Sequence, residues 1–393
     1  MRTVPIAPAG PTISNALWNL GFRPFYLLAS IFAALSVALW VAQYAGYLPF
    51  AYVRGPLWHA SEMIFGYTLA VMAGFLFTAV RNWTAKPTPT GGTLAALVLL
   101  WVAGRVLVAT PYVWTAACVN TAFPVAVAIG IAIPLVRAGN RRNYFFIALL
   151  ILIALAELGL HLADRDVLPW SERTTLQVVL DILMFIMAVM AGRVIPMFTN
   201  NGVPGARARR NPLLEKAALG GLLVLTLADT VEAPALVIAV CALALFVLHG
   251  ARLALWEPWR VFRTPLVWIL HAAYAWIVVH LALRAFGAYQ WVPDAIATHA
   301  LTIGGIGGLT LGMMTRTARG HTGRPLVAGA ADVGAYVLVM LAAIIRVFGA
   351  LVWPGAYLAT VILSGACWFV AFALYAAAYA PSLTRPRRDG KPG

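Results

Sequence analysis

Long apolar runs recur from one end of this chain to the other, and they constrain its fold more than any other feature. Hydrophobic residues make up 62% of the 393 residues and charged residues only 10%, whereas a soluble domain carries about 25% charged residues. Runs of this kind have the length of membrane-spanning helices, and their continuity excludes the alternating pattern of a membrane barrel. The sequence therefore predicts an all-α polytopic membrane protein that lies in a lipid bilayer.

We predict a single transmembrane domain over residues 25–380, preceded by an N-terminal segment, 1–24, and followed by a basic tail, 381–393. Twelve spans are predicted within it, at residues 25–47, 58–80, 92–109, 113–136, 143–163, 174–198, 212–229, 234–255, 264–286, 295–315, 326–349 and 353–380. An even number of spans places both termini on the same side of the membrane.

Basic residues concentrate in the loops on one side of these spans. The loops after the even-numbered spans hold Arg81, Lys86, Arg137, Arg141, Arg142, Arg207, Arg209, Arg210, Lys216, Arg252, Arg260, Arg263, Arg316, Arg319 and Arg324. The opposite loops hold Arg54, Arg165 and Arg173 together with the acids Asp164, Asp166, Glu172, Glu232 and Asp294. Cytoplasmic loops are enriched in Lys and Arg, so both termini are predicted to be cytoplasmic. The net charge of +15 then reflects orientation and not nucleic acid binding.

Several short patterns recur at a spacing near 120 residues. Cys118, Cys241 and Cys367 are each followed five residues later by phenylalanine. The sequence Ala-Val-Met-Ala-Gly occurs at 70–74 and again at 188–192. Two interpretations stay open: three pseudo-repeated four-helix units around a pseudo-three-fold axis, or coincidence in a very apolar chain.

Four of the seven histidines are predicted to reach one layer near the external face. They are His59, His161, His280 and His299, all in the outer parts of spans. Ionisable groups within a membrane usually have a function, and neutral imidazole is a good ligand for haem iron, copper and zinc. This layer therefore predicts a metal or haem site, although each histidine alone also fits a structural hydrogen bond. His271 lies nine residues before His280, about 13 Å along a helix, so these two cannot share one ion.

Charged side chains near this layer are candidates for a supporting role. Glu62 lies three residues after His59, and Glu157 lies four residues before His161, so each pair shares a helix face. A carboxylate can orient a ligating imidazole ring. Asp181, in the outer half of span 6, is a third such acid, and Arg193 is an arginine within a span. Arginines in spans are expected to form ion pairs or to hold haem propionates.

One stretch of span 10 combines small and soft side chains. Gly304, Gly308 and Gly312 lie four apart on one helix face, where they let a neighbour approach closely. Met313 and Met314 follow them. Thioethers can bind Cu(I), although methionine in a span is more often packing.

Several longer motifs resemble those of the NnrS family of bacterial membrane proteins. The matching stretches are Gly21-Phe-Arg-Pro-Phe25, Trp58-His-Ala-x-Glu-Met-x-Phe-Gly66, Ala73-Gly-Phe-Leu-x-Thr-Ala-Val80, Gly192-Arg-x-Ile-Pro-x-Phe-Thr-x-Asn201, Leu311-Gly-Met-Met-x-Arg316 and Gly320-His-Thr-Gly-Arg-Pro-Leu326. The resemblance implies a haem- and copper-containing protein of the bacterial inner membrane, linked to nitric oxide and to defence against nitrosative stress. One departure matters: Ser61 stands where the family commonly has a second histidine, which puts copper in doubt.

A looser, architectural resemblance is to the catalytic subunit of haem-copper oxidases. In those proteins spans 2 and 10 bring the ligands of the low-spin haem from the external side. The resemblance implies that His59 and His299 are axial ligands, while the oxidase copper ligands have no counterpart, because no histidine lies between His161 and His249. A likeness at the level of the fold does not establish function.

The sequence thus favours a haem-binding membrane protein for redox handling or sensing of nitric oxide, with a haem, of the b type, between His59 and His299. His161, His280 and His271 are the further candidate ligands, with Glu62, Glu157, Asp181 and Arg193 in support. An electron donor is the expected partner. The alternatives are a transporter of a small solute or metal ion that uses the intramembrane His, Glu and Asp side chains, and a purely structural membrane partner.

Overall fold

Twelve long helices make up most of the part of the chain that the structure, a computed structural model, describes: residues 16–48, 55–165, 167–168 and 171–390. They are α1 Phe22–Tyr44, α2 Gly55–Thr84, α3 Gly91–Leu107, α4 Val113–Arg137, α5 Arg141–Ala163, α6 Glu172–Gly202, α7 Pro212–Thr230, α8 Ala235–Leu255, α9 Pro265–Gly287, α10 Asp294–His321, α11 Ala330–Val352 and α12 Pro354–Leu383. Each predicted span coincides with one helix. Arg54 and Asp166, and most of the predicted N-terminal segment, lie outside the described residues.

Ten of these helices are long and apolar enough to cross a membrane. The other two are α3, which has 17 residues, and α7, which carries Glu215, Lys216 and Asp229 within its 19 residues. A backbone inside a bilayer must satisfy its own hydrogen bonds, which a helix does. The prediction of an all-α polytopic membrane protein is therefore confirmed.

The helices pack in an order that repeats every four helices. Helix α4 packs against α5, α8 packs against α9, and α12 closes the ring by returning to α1. Inside this ring α10 contacts both α2 and α6. Helices α2, α6 and α10 are the second members of the three predicted units, so the repeat spacing in the sequence has a counterpart in the packing.

The glycine face of α10 packs against α9, as the sequence predicts. A Cβ atom added at Gly304 would overlap Trp276, and one added at Gly308 would lie 2.7 Å from the Cβ of Ala273. Gly312 lies equally close to the same helix. Small residues allow this approach in membranes, where close packing replaces the hydrophobic effect between helices.

Three π-helical segments interrupt the α-helical hydrogen bonding within the described residues. They are Glu62–Thr68 in α2, Ala300–Gly307 in α10 and Ile345–Gly349 in α11. The first two begin shortly after His59 and His299, and the third contains Arg346. Each added residue in a π turn changes the direction in which the side chains around it point, and such segments are frequent at functional sites.

The motif Gly320-His-Thr-Gly-Arg-Pro-Leu326 begins at the C-terminal end of α10, opposite the end that carries His299. Arg387 of the tail donates a hydrogen bond from Nη1 to the carbonyl oxygen of His321 at 3.2 Å, and the backbone of Arg388 donates to that of Thr322. His299 and His321 are separated by about 33 Å along the helix at 1.5 Å per residue. The loop over residues 320–326 therefore holds the tail at the basic end of the bundle and does not reach the histidine layer.

Candidate functional site

A cavity of about 1070 Å³ opens at the end of the bundle opposite the basic loops. We call it the outer cavity; its walls combine aromatic, histidine and charged side chains, among them Trp40, Tyr44, His59, Tyr67, Arg173, Gln177, Arg284, Asp294, His299, Arg346, Tyr357 and Trp368. They come from α1, α2, α6, α9, α10, α11 and α12. Ligand sites are typically apolar cavities of roughly 300–1,000 Å³ with a few placed polar groups, and the outer cavity has this character.

His59 enters the outer cavity from the first turns of α2. Its ring stacks on the indole of Trp40, with the ring centroids 5.1 Å apart and the planes 12° from parallel. Its Nδ1 is buried and has no hydrogen-bond partner among the described residues. Buried polar atoms in native proteins nearly always have a partner, so this nitrogen is available to a ligand.

His299 enters the same cavity from the first turns of α10. Its Nδ1 lies 2.5 Å from the carbonyl oxygen of Ala295. A carbonyl only accepts hydrogen bonds, so Nδ1 carries the hydrogen and Nε2 keeps its lone pair. Metal-binding histidines are commonly held in this way. Arg346 lies near both His59 and His299, and all three side chains line the outer cavity.

Arg346 brings a positive charge into the outer cavity from the π-helical segment of α11. Its Nη2 donates a hydrogen bond to Tyr357 Oη at 2.6 Å, and its guanidinium lies 4.8 Å from the centre of that ring. Its Nη1 is buried and has no partner among the described residues. A buried guanidinium with an unused donor suits a carboxylate or phosphate group.

The side of the outer cavity near α6 and α9 is formed by ion pairs. Arg284 binds both carboxylate oxygens of Asp229, at 2.7 and 2.8 Å, and its Nη1 lies 3.5 Å from Asp181. Gln177 also donates to Asp181, at 2.9 Å. Arg284 thus takes the ion-pair alternative expected for arginines in spans, with Asp181 and Asp229 as its partners. Asp181 itself lies behind the cavity wall, where it positions Arg284 and Gln177.

A second buried cluster lies between α2, α3, α4 and α5. Arg105 Nη1 lies 2.6 Å from Glu62 Oε1, and Arg105 Nη2 donates to Asn120 at 2.5 Å. Glu157 and His161 both interact electrostatically with Arg105. Glu62, Glu157 and His161 thus belong to this cluster and do not line the outer cavity. The carboxylate of Glu62 is paired with Arg105 and forms no hydrogen bond with the ring of His59.

His280 has the expected depth but a different contact. Its Nδ1 lies 2.7 Å from the carbonyl oxygen of Ala297, two residues before His299. Its Nε2 is buried without a partner among the described residues, and the ring does not line the outer cavity. His280 therefore ties α9 to the turn of α10 that presents His299.

His271 and Arg193 lie towards the basic end of the bundle. The ring nitrogens of His271 lie 3.0 Å from the carbonyl oxygen of Val267 and 3.2 Å from that of Trp256. A metal ion would have to replace one of these bonds. Arg193 donates to Asn143 at 2.7 Å and does not reach the outer cavity.

The donor set of the outer cavity fits a haem better than a bare metal ion. Among the described residues no group of three or more His, Cys, Asp or Glu side chains is arranged to hold a metal ion. A haem brings four nitrogen ligands of its own and needs few from the protein. His59 and His299 would hold such a group through their ring nitrogens, and Arg346 would bind a propionate.

Three residues of the site have roles that the sequence analysis did not identify. Trp40 stacks on His59, and Tyr357 holds Arg346; neither has a motif that marks it. Gln177 did have a signal. It lies 118 residues after His59, the spacing that separates the two Ala-Val-Met-Ala-Gly sequences, and it lines the cavity at the corresponding turn of α6.

One protein family matches the chain over nearly its whole length. The sequence profile of that family, described as NnrS protein, matches residues 16–387. No protein with a curated description gives a match.

Proposed function

The chain belongs to the NnrS family, and we propose that it is a haem protein of the bacterial inner membrane that acts in the response to nitric oxide. Membership supports a membrane protein of the nitric oxide response in general terms. The proposal adds a b-type haem in the outer cavity with His59 and His299 as its axial ligands. When bound, the haem supplies an iron centre for redox chemistry or for sensing.

This proposal rests on two histidines that line the same cavity and that each have a ring nitrogen available to a ligand. His59 and His299 come from α2 and α10, and both line the outer cavity. His299 has its Nδ1 fixed by the Ala295 carbonyl, while His59 has a buried Nδ1 without a partner. The other candidate ligands, His161, His271 and His280, do not line this cavity.

The rest of the cavity suits the periphery of a porphyrin. Trp40, Tyr67 and Trp368 provide aromatic surface, and Arg346 offers an unused buried donor to a propionate. The charge distribution supports the orientation: the basic loops face the cytoplasm with both termini, so the outer cavity opens to the periplasm. Nitric oxide and an electron donor would reach the haem from that side.

Copper is not part of the proposal for the histidine layer. Ser61 replaces the histidine that the family commonly has two residues after His59. A hydroxyl is a poor ligand for copper compared with imidazole, and among the described residues no third histidine lines the outer cavity.

The experiment is a spectroscopic comparison of purified variants. Reduced-minus-oxidised spectra and haem-to-protein ratios are recorded for the unsubstituted protein and for His59→Ala and His299→Ala. Each change is expected to abolish the spectrum of a bis-histidine haem, because it removes one axial ligand. His161→Ala is the matched control, since it removes a histidine of the same depth outside the cavity and should leave the spectrum unchanged. Unaltered haem spectra in His59→Ala and His299→Ala would refute the proposal.

A transporter is the second candidate, and the cluster around Arg105 favours it. Glu157 is buried and its Oε2 has no partner among the described residues. A buried carboxylate beside a charged pair is the arrangement of a proton relay. The test measures uptake of a small solute or metal ion into liposomes that contain the haem-free protein. Uptake that depends on a proton gradient and is lost in Glu157→Gln would support this function. A stoichiometric haem in the fresh preparation would count against it.

A further inference from the structure

Two sequence motifs that have no part in the proposed haem site meet at the basic end of the bundle. The first, Gly21-Phe-Arg-Pro-Phe25, begins α1, and the second, Gly320-His-Thr-Gly-Arg-Pro-Leu326, runs from the last turn of α10 into the loop that follows. The ring of Phe22 lies against that of His321, with the ring centroids 5.7 Å apart. The two motifs therefore form one structural unit, although about 300 residues separate them in the sequence.

Arg23, the second residue of α1, is fully buried at this contact. Its Nη1 donates hydrogen bonds to the carbonyl oxygens of Leu383 and Arg385, at 2.9 and 2.8 Å, and so caps the C-terminal end of α12. Its Nε and Nη2 are also buried, and neither has a partner among the described residues. Buried polar atoms in native proteins nearly always have a partner, so one edge of this guanidinium is available to a ligand.

The free edge of Arg23 is the one through which arginine binds an oxyanion with two parallel hydrogen bonds. Arg252 uses the same two atoms in this way, because its Nε and Nη2 donate to the two carboxylate oxygens of Glu215, both at 3.0 Å. Pairs of arginine with carboxylate or phosphate commonly have this bidentate geometry. Within the described part of the chain no carboxylate pairs with Arg23, so its edge suits an anion that the chain does not supply.

The side chains around Arg23 and His321 carry an excess of positive charge. We call them the basic corner, which comprises Arg23, Arg81, Arg324, Arg385, Arg387 and Arg388. Two carboxylates lie beside it, and each has an arginine partner: Arg387 donates to Asp389, and Arg319 donates to Asp332. The first 61 residues contain no Asp or Glu, and neither do residues 391–393. The two terminal segments therefore bring no further acidic side chain to the basic corner.

Positive charge at this end of the bundle would need no ligand by itself, because loops on the cytoplasmic side are enriched in Lys and Arg. Such residues are normally exposed to water, as Arg385 and Arg388 are. Arg23 differs from them, since it is fully buried and has two donors without partners among the described residues. An anion between the exposed arginines and the edge of Arg23 would give both a partner.

The depth of the basic corner selects a lipid headgroup as that anion. Arg23 lies in the first turn of α1, which is long and apolar enough to cross a membrane, so its side chain lies near the level of the phosphates of one leaflet. In the proposed orientation this is the cytoplasmic leaflet, which carries anionic lipids. Basic pockets between membrane helices on that side bind the headgroups of anionic phospholipids.

We propose that the basic corner binds the phosphate group of an anionic phospholipid. The Nε–Nη2 edge of Arg23 binds two of the phosphate oxygens, and Arg324 and Arg388 bind the phosphate from the exposed side. The tail beside this edge is held by hydrogen bonds of 3.2 and 3.3 Å to the carbonyl oxygens of His321 and Thr322. Both are long for bonds of this type, so the tail can shift to admit the headgroup. The proposal rests on the proposed orientation and is independent of the haem.

The test measures lipid binding to the full-length protein in detergent by native mass spectrometry. Phosphatidylglycerol, which has a net negative charge, is compared with phosphatidylcholine, which has a phosphate but no net charge. Arg23→Lys keeps a donor for the carbonyls of α12 but loses the two-atom edge. We expect this variant to bind phosphatidylglycerol roughly tenfold more weakly or worse, as loss of a charge-assisted hydrogen bond predicts.

Two further variants keep the test decisive. Arg324→Gln leaves the cap of α12 intact and should also weaken phosphatidylglycerol binding, so it replaces Arg23→Lys if that variant does not fold. Arg137→Gln, at an exposed arginine that ends α4 at the basic end of the bundle, is the matched control and should bind as before. Unchanged binding in Arg23→Lys and Arg324→Gln, or an equal loss in Arg137→Gln, would overturn the proposal. Equal binding of the two lipids would overturn it as well.

Inorganic phosphate distinguishes a lipid from a soluble anion as the occupant. Added in large molar excess, it should leave phosphatidylglycerol bound, whereas its binding at comparable concentrations would assign the site to free phosphate and overturn the choice of a lipid. The haem spectrum of Arg23→Lys should match that of the unsubstituted protein. Loss of lipid binding with an unchanged haem spectrum would separate this site from the proposed haem site.

Discussion

Tyr67 and Thr310 join α2 to α10 through a hydrogen bond of 2.5 Å between Tyr67 Oη and Thr310 Oγ1. Tyr67 lines the outer cavity. Thr310 lines a smaller, apolar cavity of about 90 Å³, whose walls include Met72, Met190 and Met313. Thr310 also lies 2.6 Å from the carbonyl oxygen of Ile306 and donates its own hydrogen there, so Tyr67 is the donor in the bond between the helices. This bond ties the π-helical segment of α2 to the α-helical turn that follows the π-helical segment of α10.

Replacing Tyr67 by phenylalanine should therefore destabilise the protein modestly. The change removes one buried hydrogen bond but leaves Thr310 bonded to Ile306, so the expected loss is about 0.5–1.5 kcal/mol. Thermal unfolding of the detergent-solubilised protein measures it. Tyr112→Phe, at an exposed tyrosine in the α3–α4 connection, is the control and should unfold at the unsubstituted temperature. An equal effect in both variants would show that the bond contributes nothing.

Breaking the Glu62–Arg105 pair should cost more. Both side chains are buried, and removing one member of a buried pair leaves an uncompensated charge, which typically costs about 3–5 kcal/mol. Arg105→Gln is expected to show this loss. The double variant Glu62→Gln/Arg105→Gln should recover part of it, because two amides can bond to each other without a charge.

A double-mutant cycle over Glu62 and Arg105 separates pairing from other effects of each change. The four free energies of unfolding come from denaturant titrations of the two single variants, the double variant and the unsubstituted protein. Additive losses would contradict the ion pair. A smaller loss in the double variant than in Arg105→Gln would support it.

The apolar runs predicted the helices because a continuous apolar segment in a bilayer must satisfy its own backbone hydrogen bonds, and few structures other than a helix do so. They did not predict which histidines share a cavity. His280 and His299 have similar depth, yet His280 is turned towards Ala297 and only His299 lines the outer cavity. Which side chains face the cavity depends on the rotation of each helix about its axis. A helix that is apolar on all sides carries no sequence signal for that rotation.

The π-helical segments explain a second difference from the sequence prediction. Spacing of three residues places Glu62 on the face of His59 in a regular α-helix. The π-helical segment begins at Glu62, and the carboxylate bonds to Arg105 of α3. The spacing of 118 residues between repeats was more informative than the spacing of three residues within α2. It relates Gln177 to His59, which both line the outer cavity, and Met190 to Met72, which both line the smaller cavity.

The close packing of α10 on α9 predicts a large effect for a single methyl group. A Cβ at Gly304 would overlap Trp276, and overpacking of a dense core costs about 1–3 kcal/mol. Gly304→Ala should lower the thermal unfolding temperature accordingly. Gly220→Ala, at a helical glycine of α7 with no atom within 4 Å of an added Cβ, should leave stability unchanged or raise it. Equal stability of Gly304→Ala and the unsubstituted protein would mean that α9 shifts to accommodate the added methyl group.

A substitution at Arg346 tests how the protein retains a haem separately from how it ligates the iron. If its unused Nη1 binds a propionate, Arg346→Gln removes a charge-assisted hydrogen bond, which contributes about 1.5–3 kcal/mol, while His59 and His299 stay in place. We expect a lower haem-to-protein ratio after detergent washing and unchanged positions of the reduced absorption bands. Arg141→Gln, an exposed change at the basic end, is the control and should retain haem fully. Shifted bands in Arg346→Gln would place the arginine at the iron ligands, and full retention of haem would exclude it as a propionate partner.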